Sequence, residues 1–136
     1  MTYNEKKDFL EQYRYHIRRI KQLHRELEEW HTIGTNITQK LSPVTVKGSG
    51  NKSKVEECAL RLASIEDMIA NELQAAEDSR DLIENSICSI KDTRKREIIE
   101  MRYVKGMAVS SIANELHRDT NNVYRTIRLT IRNMDI

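Results

Sequence analysis

The stretch that decides the fold is residues 4–32, NEKKDFLEQYRYHIRRIKQLHRELEEWHT. Leu10, Tyr13, Ile17, Ile20, His24, Leu27 and His31 recur in it at three- and four-residue steps. That alternation is a heptad repeat, which lays a narrow stripe along one side of a helix for a partner helix to cover. The spacing predicts one long helix from about Asn4 to Thr32. His24 and His31 read as polar seam residues that hold the register.

Beyond this stretch the pattern breaks. Residues 33–53 hold the only proline, Pro43, the β-branched run Val44-Thr45-Val46 and Gly48-Ser49-Gly50. A loop is expected there. Ser53 with Glu56 is a capping-box pair and should open a second helix. Its seam runs through Val55, Cys58, Leu62, Ile65, Ile69, Leu73 and Ala76, with a break expected near Asp78-Ser79 and a new start before Leu82 and Ile83. The simplest arrangement is an antiparallel helical hairpin, coiled-coil-like, over residues 1–90. Whether it pairs within one chain or between chains stays open; a homo-oligomer is expected, a dimer first.

Charge divides the chain more sharply than its total of +2 implies. Residues 1–54 carry 11 basic and 6 acidic side chains, residues 55–90 carry 2 and 9, and residues 91–136 carry 10 and 6. The basic first part and the acidic middle can pair, which leaves the last part without an internal counter-charge of similar size. Four Gly and one Pro are few for a chain built from tight turns, which argues against a sandwich or barrel, and with the helical patterns an all-α fold is expected. No apolar run approaches the ~18–20 residues of a membrane span. Met1 to Asp8 is polar and lacks the apolar core of a secretory signal, so no membrane partner and a cytoplasmic location are expected. Cys58 and Cys88 lie in helical patterns with no CxxC spacing and read as reduced thiols.

Residues 91–136 change style. Asp92 or Thr93 can cap a short helix whose apolar face is Ile98, Ile99, Met101 and Val104, and Tyr103 and Gly106 end it. A second helix is expected over about Val109–Leu116. His117-Arg118 form a tight turn, and Asp119 or Thr120 caps a third helix to about Met134, with Val123, Ile127, Ile131 and Met134 inward. Three short helices joined this way, the last one basic, have the outline of a helix-turn-helix domain. A helix that reads DNA needs short polar groups in its first turn, an outer face without carboxylates, and an apolar stripe behind. Thr120, Asn121 and Asn122 supply the first; Arg125, Arg128 and Arg132, with no acid between Thr120 and Met134, supply the second. Tyr124 can donate to phosphate, Arg118 in the turn is a further candidate contact, and a carboxylate at Asp119 should be engaged by backbone amides. Taken by itself, an arginine-bearing amphipathic helix is more often a solvated face, so the polar first turn and the preceding helix carry the reading.

Met101-Arg102-Tyr103-Val104-Lys105-Gly106, Ser111-Ile112-Ala113-Asn114-Glu115-Leu116 and Asn122-Val123 together resemble region 4 of sigma-70 factors, over about residues 81–136. The whole chain is similar to short phage and prophage regulators of Gram-positive bacteria, among them an uncharacterised family of about this length distantly related to the ArpU- and RinA-type activators. The resemblance implies control of phage genes by promoter binding, and leaves contact with RNA polymerase open. Its base-reading positions fall on Thr120, Asn121, Asn122 and Arg125. The chain departs from the pattern at Ala108, where Ser or Thr usually caps, at Ser111, usually acidic, at His117, usually Gly, and at Arg118, usually apolar. Sigma regions 2 and 3 have no counterpart, so promoter melting is not expected.

No catalytic constellation is present, and no cofactor or metal is expected. Glu28-x-x-His31 is half of a di-metal motif, and the acidic helix supplies no histidine for the other half. Gly48 to Ser53 fails the spacing of a phosphate loop, with Val46 and Asn51 where the glycines belong. Two other classes of function stay in view: an adaptor whose acidic helix 55–90 docks on RNA polymerase, and a DNA-packaging subunit of the small-terminase kind.

Overall fold

A computed structural model describes residues 1–40 and 49–136. Five helices follow in order: α1 (Tyr3–Lys40), α2 (Ser49–Cys88), α3 (Thr93–Tyr103), α4 (Val109–Leu116) and α5 (Thr120–Asn133). No strand occurs among the described residues, and the fold is all-α. None of these helices is long and apolar enough to cross a membrane. Of the segment expected as a loop, residues 33–40 are helical as the end of α1 and residues 49–53 are helical as the start of α2. Pro43 and the run Val44-Thr45-Val46 lie outside the described residues. Toward this end of α1, Thr32, Thr35 and Thr38 each turn the hydroxyl back to the carbonyl four residues earlier, at 3.0, 2.9 and 2.8 Å, so the side chains take a helix-compatible bond instead of a capping one. The observed capping box is also elsewhere, at the start of α1. The Thr2 amide donates to Glu5 Oε2 at 2.9 Å and the Glu5 amide donates to Thr2 Oγ1 at 3.3 Å.

The chain forms two compact units. They divide it differently from a split at residue 90: one comprises residues 18–74, the other residues 1–17 with 75–136. In the first, Leu23 of α1 packs with Ile65 and Ile69 of α2, and Leu27 and Trp30 lie against them. The Cys58 thiol donates to the Trp30 carbonyl at 3.4 Å, and the Arg61 guanidinium lies 5.7 Å from the Trp30 ring centroid. These pairings run antiparallel. The seam of α1 therefore passes through Leu23 and Trp30, one residue before the expected His24 and His31, which are both exposed. Desolvation decides this: burying an imidazole without a partner costs free energy, whereas burying Leu or Trp gains it. Leu73, expected in the α2 seam, is likewise exposed.

In the second unit α2 runs unbroken through Asp78 and Ser79, where a break was expected. Ser79 sits at a seam position with Ala76 and Ile83, all three buried. Leu10 of α1 and Ile83 and Ile87 of α2 are fully buried in one core with Ile98, Ile99, Ile112, Val123 and Ile131. The start of α1 and the end of α2 thus complete the core of the three short helices. Asp92 caps α3, accepting from the amides of Arg94 and Lys95 at 3.0 and 3.3 Å. Gly106, at φ +70, ends the turn after α3, and a Cβ there would also overlap the Arg14 guanidinium. Arg102 Nη1 then donates to the Met107 carbonyl at 3.0 Å, which ties α3 to the segment leading into α4.

Helix α4 ends in a Schellman arrangement. The Arg118 amide returns to the Ala113 carbonyl at 2.8 Å and the His117 amide to Asn114 at 3.3 Å. The residue in the left-handed conformation is His117, at φ 54. The N-cap of α4, Ala108, offers no side-chain bond.

Candidate nucleic-acid interface

The bounds of α5 follow from its periodicity. Val123, Ile127, Ile131 and Met134 are buried, as expected, and Thr130 joins them with its hydroxyl donating to the Thr126 carbonyl at 2.6 Å. The apolar stripe fixes which side of the helix remains open. Asn121, Asn122, Tyr124, Arg125, Arg128 and Arg132 are all exposed. Thr120 and Arg118 are half-buried, closer to the turn. Arg125, Arg128 and Arg132 form no ion pair with any described residue. Their charge is therefore not neutralised within this unit. Leu129, 44% exposed, interrupts the basic row with an apolar side chain.

Asp119 stands at the N-cap of α5 with extended backbone, but its carboxylate accepts no capping hydrogen bond. The expectation that backbone amides engage it does not hold. Its charge remains beside the first turn, where it favours the positive helix end and opposes an incoming phosphate.

The other end of α5 is held by α1. Lys6 Nζ donates to the carbonyls of Arg132 and Met134 at 3.1 and 2.6 Å. A cation on the last carbonyls of a helix satisfies acceptors that have no partner in the helix and complements its dipole. On the same stretch of α1, Tyr3 and Lys7 line a groove of about 250 Å³ together with Arg102, Tyr103, Val109, Tyr124, Ile127 and Arg128. Tyr103 forms part of its floor. Burial, assisted by the Glu11 carboxylate, pushes its phenol up to about 12.

Of the residues singled out in the sequence, the structure brings Asn121, Asn122, Arg125, Arg128 and Arg132 onto the open side of one helix, and puts Tyr124 and Arg128 on the groove edge. It adds Tyr3, Lys6, Lys7 and Arg102, which sequence reading missed. No local signal marks the first three, because their relation to α5 spans more than a hundred residues. Arg102 stands inside the Met101–Gly106 stretch, where its sequence neighbours mark a helix end and not a contact with α5. Cys58 and Cys88 are both free, the first buried and the second exposed. Among the described residues no group of three or more His, Cys, Asp or Glu side chains gathers as a metal ion would require.

A helical protein that ends in three short helices around a shared core, with a basic open face on the last, is the class defined so far. The family described as Protein of unknown function (DUF1492) matches residues 37–135, and the chain belongs to that family. No curated protein and no solved structure matches it.

Proposed function

We propose that the protein binds duplex DNA in a sequence-specific way and regulates transcription, with α5 entering the major groove. The observation that carries this reading is the open, carboxylate-free side of α5, bearing Asn121 and Asn122 in its first turns and Arg125, Arg128 and Arg132 after them, opposite a fully buried stripe. Asn can bond adenine in two places, and Arg can bond guanine bidentately or neutralise phosphate. In this reading α4, the turn at His117 and α5 act as the two helices of a helix-turn-helix, the second reading bases and the first lying across the backbone. The likeness to sigma-70 region 4 supports the same reading: the turn position where that pattern carries Gly is the residue with left-handed backbone here, His117. On that likeness the regulated genes would be phage or prophage genes, the location cytoplasmic, and a homodimer would place two α5 helices on half-sites about one DNA turn apart.

The test is selection of bound sequences from random duplexes, then titration of the selected duplex at several salt concentrations. Replacing both Arg125 and Arg128 with Ala removes two cations, and the salt slope should fall by up to about 1.8, at roughly 0.9 per phosphate contact. Replacing Asn122 with Ala should relax the preference at one base position, at a cost of about 1–3 kcal/mol for the preferred base. Binding indifferent to salt and to the arginine substitutions would end this reading.

A further inference from the structure

We infer that the first two turns of α1 belong to the DNA-binding surface, and that the groove between Lys7, Arg102 and Arg128 seats a backbone phosphate of the duplex that α5 reads. This rests on the proposed function and extends it to residues far from α5 in sequence.

Three cationic side chains from three different helices line this groove: Lys7 of α1, Arg102 of α3 and Arg128 of α5. Tyr3 and Tyr124 add phenol groups at the same place, each able to donate to an anionic oxygen. Val109, Ile127 and the buried Tyr103 complete the lining. An anion seated there meets donors on several sides and a low-dielectric base, which strengthens each contact.

The existing partners of these cations leave them available. Lys7 approaches Glu11 only at 3.9 Å, with both side chains about half exposed, a pairing worth little in water. Arg102 uses Nη1 on the Met107 carbonyl, and a guanidinium has further N–H groups to offer. Arg128 has no anionic partner among the described residues. Glu11 also acts electrostatically on Tyr103, and it is the group a phosphate would displace from Lys7.

Position selects the occupant. Tyr124 and Arg128 belong both to the groove edge and to the open side of α5. A helix lying in the major groove is flanked by the two sugar-phosphate backbones, so a cationic recess on its flank faces a backbone, not a base edge. The Lys6 bonds to the end of α5 hold this part of α1 beside that flank. The contact should add affinity without sequence preference.

The experiment uses the full chain and its Lys7→Gln, Lys7→Arg and Arg125→Ala variants, each titrated with the selected duplex and with a mixed-sequence duplex over a series of salt concentrations. Backbone amide shifts of Tyr124 and Arg128 are followed in parallel with inorganic phosphate. Lys7→Gln should bind both duplexes roughly tenfold more weakly, by the same factor for each, with a salt slope smaller by about 0.9. Lys7→Arg should keep the slope. If Lys7→Gln matches the parent in affinity and slope while Arg125→Ala is weakened, the phosphate seat is wrong and the reading of α5 stands. If the parent binds no duplex, the reading of α5 fails. Inorganic phosphate shifting Tyr124 in that case, and not in Lys7→Gln, would assign the groove to a free anion and overturn its role on DNA.

Discussion

At the scale of single residues, the side chain most at odds with its surroundings is Ser79. It is 7% exposed, and its hydroxyl has no hydrogen-bond partner among the described residues, not even a helix carbonyl. A buried hydroxyl without a partner gives up its bonds to water for nothing in return, a cost of about 1–3 kcal/mol. Ala removes that cost and has the higher helix propensity. Ser79→Ala should therefore raise the stability of the folded chain by about 1 kcal/mol, read as a higher midpoint in urea with an unchanged slope. A lower midpoint would show that the hydroxyl has a partner in solution. Tyr103 makes the second residue-scale prediction. Its phenol titrates near 10 when unfolded and is raised to about 12 when folded. Between those values the unfolded chain has lost a proton that the folded chain keeps. Stability from this group is thus complete below pH 10 and is lost as pH rises toward 12. In Tyr103→Phe that part of the alkaline loss should disappear, which unfolding curves at pH 9 and pH 11 would measure; an equal loss in both proteins would reject the assignment.

At the scale of elements, the register of α1 is the point to test. Leu23 is fully buried against Ile65 and Ile69, while His24 is exposed. Leu23→Ala should cost about 2–5 kcal/mol and His24→Ala less than about 0.5 kcal/mol, compared by chemical unfolding. Equal effects would mean that the seam passes through the histidines. The heptad reading located the helix but not its face, because two interleaved series fit the same stretch. Counting from Ile20, a step of four reaches His24 and a step of three reaches Leu23, and only the partner helix decides between them. The short helices were easier to read. Asp92, Gly106 and the inward set Val123, Ile127, Ile131 and Met134 carry their own start, stop and face signals. The open side of α5 was legible for the same reason, since the buried stripe defines it by subtraction. The unbroken course of α2 was not legible, because Asp78-Ser79 has the composition of a cap and only the packing around Ala76 and Ile83 keeps it helical.

At the scale of the molecule, the arrangement around Leu10 sets what can be cut away. The sequence places the three short helices, with the proposed DNA-reading helix, in residues 91–136, as if they could stand alone. Their core, however, includes Leu10, Ile83 and Ile87, each fully buried, and the end of α5 is held by Lys6. Truncating a single large core side chain costs about 2–5 kcal/mol, and a whole small domain is stable by only about 5–15 kcal/mol. Losing all three side chains at once removes a large share of that margin. A chain of under about 60 residues is marginal even with a complete core. The fragment 91–136 should therefore show weak helicity and no cooperative melt, whereas the full chain melts cooperatively. Leu10→Ala in the full chain tests the same dependence without removing any element. It should speed amide hydrogen exchange at Ile127 and Ile131 of α5, more than a hundred residues away, along with exchange at Ile83. Exchange that accelerates only near Leu10, or a fragment that melts like the parent, would mean that the three short helices hold together unaided. The dependence has a consequence for binding. A change at the start of α1 that loosens this core should weaken the proposed DNA contact by α5 through stability, whereas Lys7→Gln should weaken it with the melting temperature unchanged.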